Sequence, residues 1–263
     1  MAPCAALLRL LCCGVMETKI VFITGTDTGV GKTLLTALLL CHLRAQGLQA
    51  LALKPFCSGG RADAEILRQL QDGELTIDEI NPFYFPEPVA PLVSARKRRQ
   101  NIPLEHVVQR IQSIAERLTQ IPRLPSGARR SMHRKLKTNN FLLIEGSGGL
   151  LVPLGEGYTV RDLIQRLACD VLVVSRNQLG TINHTLLTVQ SLIHAIPHSA
   201  LKLVLMDSSS PDFSRRSNPA ILAELLDPVP LFQLPFLGPR CFSATGLKKN
   251  AKRFQKSLAR LLL

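Results

Sequence analysis

The chain has 263 residues, 46% hydrophobic and 19% charged. That composition supplies a large core and excludes a globally disordered protein. The formal charge of +13 is gathered at Arg96–Arg99, across 123–137 and along 248–256. No nucleic-acid module accompanies these clusters, so solvated loops and a solvated helix face are expected, with no nucleic acid as partner. No stretch reaches the ~20 apolar residues that cross a bilayer, so no membrane partner is expected.

Residues 1–16 are expected to be a disordered lead or an over-extended start. Their apolar run is broken by Arg9 and lacks a basic flank, and Met16 stands just before the first strand. The seven cysteines are odd in number, and none has zinc-site spacing. Free thiols in a reducing, cytoplasmic setting are expected, with Cys57 as a small filler.

The apolar run Lys19 to Thr24 predicts a buried strand. The glycine-bearing loop GTDTGVG follows it, and a helix from about Gly31 to Gln46 opens on Gly-Lys-Thr. Strand, loop and helix N-terminus together form the context of a phosphate-binding loop. Gly29, Val30, Gly31, Lys32, Thr33 and Leu34 are its candidate nucleotide contacts. Lys32 adds a mobile charge for the outer phosphates, and the Thr33 hydroxyl is a candidate Mg²⁺ ligand. The spacing G-x5-G-K-T is one residue longer than the usual form, and Asp27 stands where partition-type ATPases carry a second lysine.

A second strand, Leu48 to Lys54, leads into PFCSGG at 55–60, a loop at the carboxyl end of a strand where open α/β sheets bind ligands. Asp63 begins a helix expected over 62–71. The proline- and aromatic-rich stretch 81–91 predicts an extended wall beside the site. Apolar periodicity predicts a helix from Leu104 to about Leu118, and 122–139 reads as a basic insert. The strand Phe141 to Ile144 delivers Glu145, Gly146, Ser147 and Gly148 to the same edge. An acid facing a phosphate loop suits a Mg²⁺ ligand, and the glycines leave room for phosphates.

Further strands are expected at Val171–Val174, Leu201–Leu205 and Val229–Leu234, and a helix capped by Thr181 runs to Ile196. A basic amphipathic helix over 247–261 closes the chain. Alternating strands and helices predict an α/β protein with a doubly wound, mostly parallel sheet of about seven strands, one P-loop domain over 17–263.

In order along the chain, GTDTGVGKT at 25–33, KPFCSG at 54–59, Asp63, NPFYFPEPVAP at 81–91, EGSGGLLVPL at 145–154 and LGTINH at 179–184 resemble dethiobiotin synthetase. The resemblance implies an enzyme that joins CO₂ to 7,8-diaminononanoate with ATP and Mg²⁺, releasing ADP and phosphate. It implies that Lys32 and Lys54 are catalytic, and that Thr33, Asp63 and Glu145 organise the metal. Thr28 and Ser58 would contact the diamine or carbamate. The substrate carboxylate would sit on a partner subunit's helix N-terminus, at Leu179, Gly180, Thr181, Ile182 and Asn183, which implies a homodimer. Met206, Asp207, Pro235, Phe236 and Leu237 would surround the base.

Three positions depart from the family pattern. Gln178 replaces a lysine, a substrate-contacting tyrosine is missing, and Met206-Asp207 replaces an Asn-Asp pair. With Met206 unable to hydrogen-bond to the adenine edge, recognition is expected to fall to Asp207, accepting from the exocyclic amine, and to backbone groups around Pro235 to Leu237, with weak base discrimination. The alternatives are a partition-type regulatory ATPase that binds DNA, against which Asp27 counts, and a related amidoligase, for whose usual glutaminase domain the chain has no room.

Overall fold

A computed structural model describes residues 18–120, 138, 140–238 and 240–263. The expected lead at 1–16 lies outside the described residues, as does the basic insert at 122–139 apart from Thr138. Six strands form one parallel sheet in the order β10-β9-β8-β1-β5-β2. They are β1 (Lys19–Gly25), β2 (Gln49–Leu53), β5 (Asn140–Glu145), β8 (Asp170–Arg176), β9 (Leu201–Met206) and β10 (Leu231–Leu234). The central strands are almost wholly buried, as parallel strands covered on both faces must be.

The expected count of about seven is one too many. Pro55, which has no N–H, ends the β2 ladder. The chain then turns away, and β3 (Phe56–Ser58) pairs with β4 (Phe83–Phe85) in a separate parallel ribbon. A short hairpin of β6 (Pro153–Gly155) and β7 (Tyr158–Thr159) makes a third sheet.

Right-handed crossovers assign the helices to faces. From β1 the chain crosses β5 to reach β2, so α1 (Lys32–Ala45) covers one face. It shares that face with α9 (Ala244–Arg253) and α10 (Gln255–Leu262), both packed on it. The return runs the other way, placing α5 (Leu104–Gln120), α6 (Val160–Leu167), α7 (Thr181–Ile193) and α8 (Asn218–Leu225) on the opposite face. The strand order reverses at β1, so the loop after β1 lies at the sheet's switch point, where ligands of such sheets bind.

Edge strand β2 is closed by a side chain. The Gln71 amide, at the end of α2 (Ala62–Leu70), accepts from Ala52 N–H at 2.8 Å and donates to the Ala52 carbonyl at 3.1 Å, as a neighbouring strand would. Asn81, after α3 (Ile77–Ile80), donates to the carbonyls of Lys54 and Pro55 at 2.9 and 3.2 Å. The expected wall at 81–91 is therefore β4 and its flanks, and α4 (Pro91–Lys97) starts at its last proline. The closing helix is two helices that meet at Phe254. Among the described residues no helix is long and apolar enough to cross a membrane.

Helix α1 is buried along nearly its whole length, His42 included, at 3% exposure. Burial holds the His42 imidazole below its ordinary pKa, and Nε2 has no hydrogen-bond partner among the described residues. The folded chain therefore binds this proton less readily than the unfolded chain. The stability is complete above about pH 6.5 and drains away as pH falls below it, by at most ~1.4 kcal/mol per pH unit. Urea titrations of the wild type and His42→Leu between pH 8 and 5 should show the stability difference moving in favour of the variant as the pH falls. Parallel curves would assign the acid sensitivity to other groups.

Candidate active site

The loop after β1 is shaped by two left-handed glycines, Gly29 at φ 67° and Gly31 at φ 108°. A side chain at Gly31 would be strained and would press on Met206, whose Cε lies 3.1 Å from the point a Cβ would occupy. Val30 is buried beneath the loop. From above, the Arg176 guanidinium, at the end of β8, donates to the Gly29 carbonyl at 2.6 Å. The Lys32 ammonium curls back to the Asp27 carbonyl at 2.7 Å, and Asp27 accepts from Thr28 N–H at 2.6 Å. Burial pulls Lys32 down to a pKa of about 8, against the raising influence of Glu145.

Strand register builds the charged floor. Leu53 of β2 lies beside Ile144 of β5, so Lys54 falls next to Glu145. The Lys54 ammonium sits 2.5 Å from Glu145 Oε1 and 2.5 Å from Asp63 Oδ2. Its side chain is 9% exposed and that of Glu145 is fully buried. Burial alone would lower the Lys54 pKa, but the two carboxylates outweigh it and hold the ammonium above its ordinary range. Thr33, in the first turn of α1, donates to Glu145 Oε1 at 2.7 Å. Glu145 Oε2 is buried without a partner among the described residues. That orphaned oxygen, with the Thr33 hydroxyl and Asp63 nearby, is the hard oxygen set that Mg²⁺ takes, so these residues fit the ion.

A cavity of about 340 Å³ joins these groups. Thr28, Gly29, Gly31, Lys32, Thr33 and Leu34 line it, with Lys54, Ser58, Asp63, Glu145, Ser147 and Gly148. The Ser58 hydroxyl is buried without a partner among the described residues. Cys57 also lines the cavity, and burial pushes its thiol up to about 12, which keeps it protonated and suits a filler. Gly146 lies outside the lining, against the Phe22 ring.

Leu179–Asn183, Met206, Asp207 and Pro235–Leu237 do not line this cavity. Thr181 is not the helix cap. Gly180, at φ 89°, precedes α7, and the Thr181 hydroxyl turns inward to Ser175 at 2.6 Å. Leu179 N–H donates to Asp212 at 2.7 Å. Asp207 is not a free acceptor either. Its carboxylate takes bonds from Asn177 at 2.9 Å, Arg215 at 2.8 Å and Gln233 at 3.1 Å, and desolvation is outweighed by these donors, which hold its pKa below the usual range. Neither tyrosine reaches the cavity. Tyr158 donates to the Ile102 carbonyl at 2.9 Å, and Tyr84 lies under the Arg61 guanidinium.

Sequence reading missed Arg176 and Phe242, the latter at the cavity rim. Arg176 could have been found from its position at the end of a strand adjoining β1. Phe242 left no periodic signal.

A strand, a glycine-bent loop and a helix opening on Gly-Lys-Thr, set at the switch point of a parallel sheet, define a P-loop nucleotide-binding protein. A family model described as AAA domain matches residues 19–225. The chain is 37% identical over 221 residues to the ATP-dependent dethiobiotin synthetase BioD of Anaeromyxobacter sp. (strain K), covering 82% of this chain and 89% of that one. It is 31% identical over 210 residues to the enzyme of the same name from Bacillus subtilis (strain 168), covering 78% and 81%. With that of Bacillus licheniformis the identity is 37% over 174 residues, and the match spans 64% of this chain and 65% of the relative. The chain belongs to the dethiobiotin synthetase family. Two solved structures share the fold at 12% identity. They are the MinC:MinD cell division protein complex of Aquifex aeolicus (TM-score 0.52, 93% of this chain and 94% of that one) and pNOB8 ParA bound to nonspecific DNA (TM-score 0.53, 93% and 98%).

The Asp207 network is a structural brace that ties the end of β9 to the loop after β8, the turn before α8 and β10. Asp207→Asn should lower unfolding stability by about 2 kcal/mol, because three donors lose an ionised acceptor. ATP affinity, measured by calorimetry, should change less than about threefold. Lost ATP affinity at unchanged stability would instead make Asp207 a base-reading residue.

Proposed function

We propose that this chain closes a ureido ring on 7,8-diaminononanoate with CO₂ and ATP, giving dethiobiotin, ADP and phosphate. The carrying observation is the Lys54 ammonium, buried between Asp63 and Glu145 in the same cavity as Lys32 and Thr33.

The reaction divides into two displacements. A substrate amine captures CO₂ as a carbamate and loses a proton. A carbamate oxygen attacks the γ-phosphorus, and the bond to the ADP oxygen breaks. The second amine then attacks the carbonyl carbon of this mixed anhydride, and phosphate departs as the ring closes. Both steps ask the protein for positioning and charge neutralisation.

Lys32, released from the Asp27 carbonyl, carries positive charge to the outer phosphates. Lys54 holds charge on the carbamate and on the transferring phosphoryl group. The two carboxylates beside it favour its charged form, which suits an electrostatic group better than a base. Thr28 and the unpartnered Ser58 hydroxyl contact the diamine or its carbamate. Thr33, Asp63 and Glu145 would hold Mg²⁺, which when bound neutralises phosphate charge.

A homodimer belongs to the same reading. Leu179 is 80% exposed, Leu187 56% and Phe213 99%, and such a display of apolar side chains supports burial by a partner. The first-turn N–H groups of Ile182 and Asn183 have no helical carbonyl to accept them, which suits a substrate carboxylate from the partner's site. The free, buried thiols of Cys41, Cys57, Cys169 and Cys241 support a cytoplasmic location. The basic clusters are read as solvated surface, with neither nucleic acid nor membrane as partner, on one domain over 17–263.

Phosphate release with Mg²⁺-ATP should depend on both 7,8-diaminononanoate and bicarbonate. Lys54→Ala should lower kcat by ~100-fold or more with nucleotide binding retained, since it removes charge stabilisation in the transition state. Turnover indifferent to the diamine but stimulated by DNA would favour a regulatory ATPase, and near-normal kcat in Lys54→Ala would remove the lysine from the mechanism.

A further inference from the structure

The cavity lining is chemically mixed. Lys54, Asp63 and Glu145 give it a charged floor suited to phosphoryl transfer, whereas Leu34 and Phe242 contribute large apolar groups to its wall. Phe242 is 44% exposed, although Cys241 immediately before it is buried at 6%. Its ring stacks on no other aromatic ring among the described residues. An exposed phenyl ring on a cavity wall is an unused binding surface.

The ring is also held in place. Ser243, the next residue, caps α9 by accepting from Gly246 N–H at 3.0 Å. Helix α9 buries Leu247 and Ala251 and packs against α1, the helix that the phosphate loop opens. Phe242 is therefore fixed relative to Gly31 and Lys32 through two packed helices.

The side chains of Met206 and Asp207 are committed elsewhere. Met206 covers Gly31 and offers neither donor nor acceptor. The Asp207 oxygens already accept from Asn177, Arg215 and Gln233. We propose that Phe242 is the aromatic wall for the sugar–base half of the nucleotide, gripping the base by its face, with little discrimination at its edge. This inference rests on reading the cavity as a nucleoside triphosphate site. Every base has a π-face, so contact of this kind tolerates ATP, GTP and CTP alike.

The test is binding of ATP, GTP, CTP and inorganic tripolyphosphate, each with Mg²⁺, to the full chain by calorimetry. The wild type should bind the three nucleotides within about tenfold of one another, because contact with the face of a base separates them little. Phe242→Ala should weaken all three by on the order of tenfold and leave tripolyphosphate unchanged. Phe242→Trp, with a larger face, should restore or exceed wild-type nucleotide affinity. Equal weakening of tripolyphosphate would mean that the residue only supports the loop, and unchanged nucleotide binding would remove it from the site; either overturns the inference alone. A wild type that favours ATP more than about a hundredfold would also overturn it, by showing that an edge contact exists. A wild type that binds neither nucleotide nor tripolyphosphate would overturn the reading beneath it.

Discussion

The structure turns on a buried ammonium held between two carboxylates. Glu145 is wholly withdrawn from solvent, and an isolated carboxylate there would be neutralised or would open the fold. Lys54 supplies the counter-charge from the neighbouring strand, and Asp63 adds a second anion from the start of α2. Thr33 brings the phosphate-loop helix to the same Glu145 oxygen. One cluster thus fastens β2, β5, α1 and α2 at the cavity beside the phosphate-binding loop.

Much of the surrounding fold keeps that cluster in register. The parallel pairing of β2 with β5 sets Lys54 beside Glu145, and Gln71 and Asn81 secure the edge strand and the turn that follows it. The long burial of α1 fixes the loop in front of it, while Arg176 ties that loop to β8 on the other side. The cost of burying so many polar groups is offset by the apolar core around them, since packing against two helical layers removes the central strands from water.

Parallel strands write themselves into a sequence as continuous apolar runs, and for that reason all six strands of the main sheet were legible near their observed bounds. The phosphate loop and the strand-end residues Lys54 and Glu145 were legible because local chemistry and position together define them. What was not legible depends on distant partners. Thr181 looks like a cap from its neighbours alone, yet Ser175 and Thr185 draw its hydroxyl inward. Asp207 looks available until Arg215 and Gln233 fold onto it. The break at Phe254 interrupts a helical period that the sequence carries through. Phe242 owes its position to the docking of α9 on α1, which no local pattern announces.

Lys54 and Glu145 stabilise the fold only as a pair, and under the proposed reaction the ammonium also serves chemistry. A double-mutant cycle in urea tests this directly. Lys54→Met alone leaves the Glu145 carboxylate buried and uncompensated and should cost about 3–5 kcal/mol of unfolding stability. Adding Glu145→Gln should recover most of that loss while dethiobiotin formation stays abolished. Additive losses in the double variant, or ring closure that survives in it, would contradict the account.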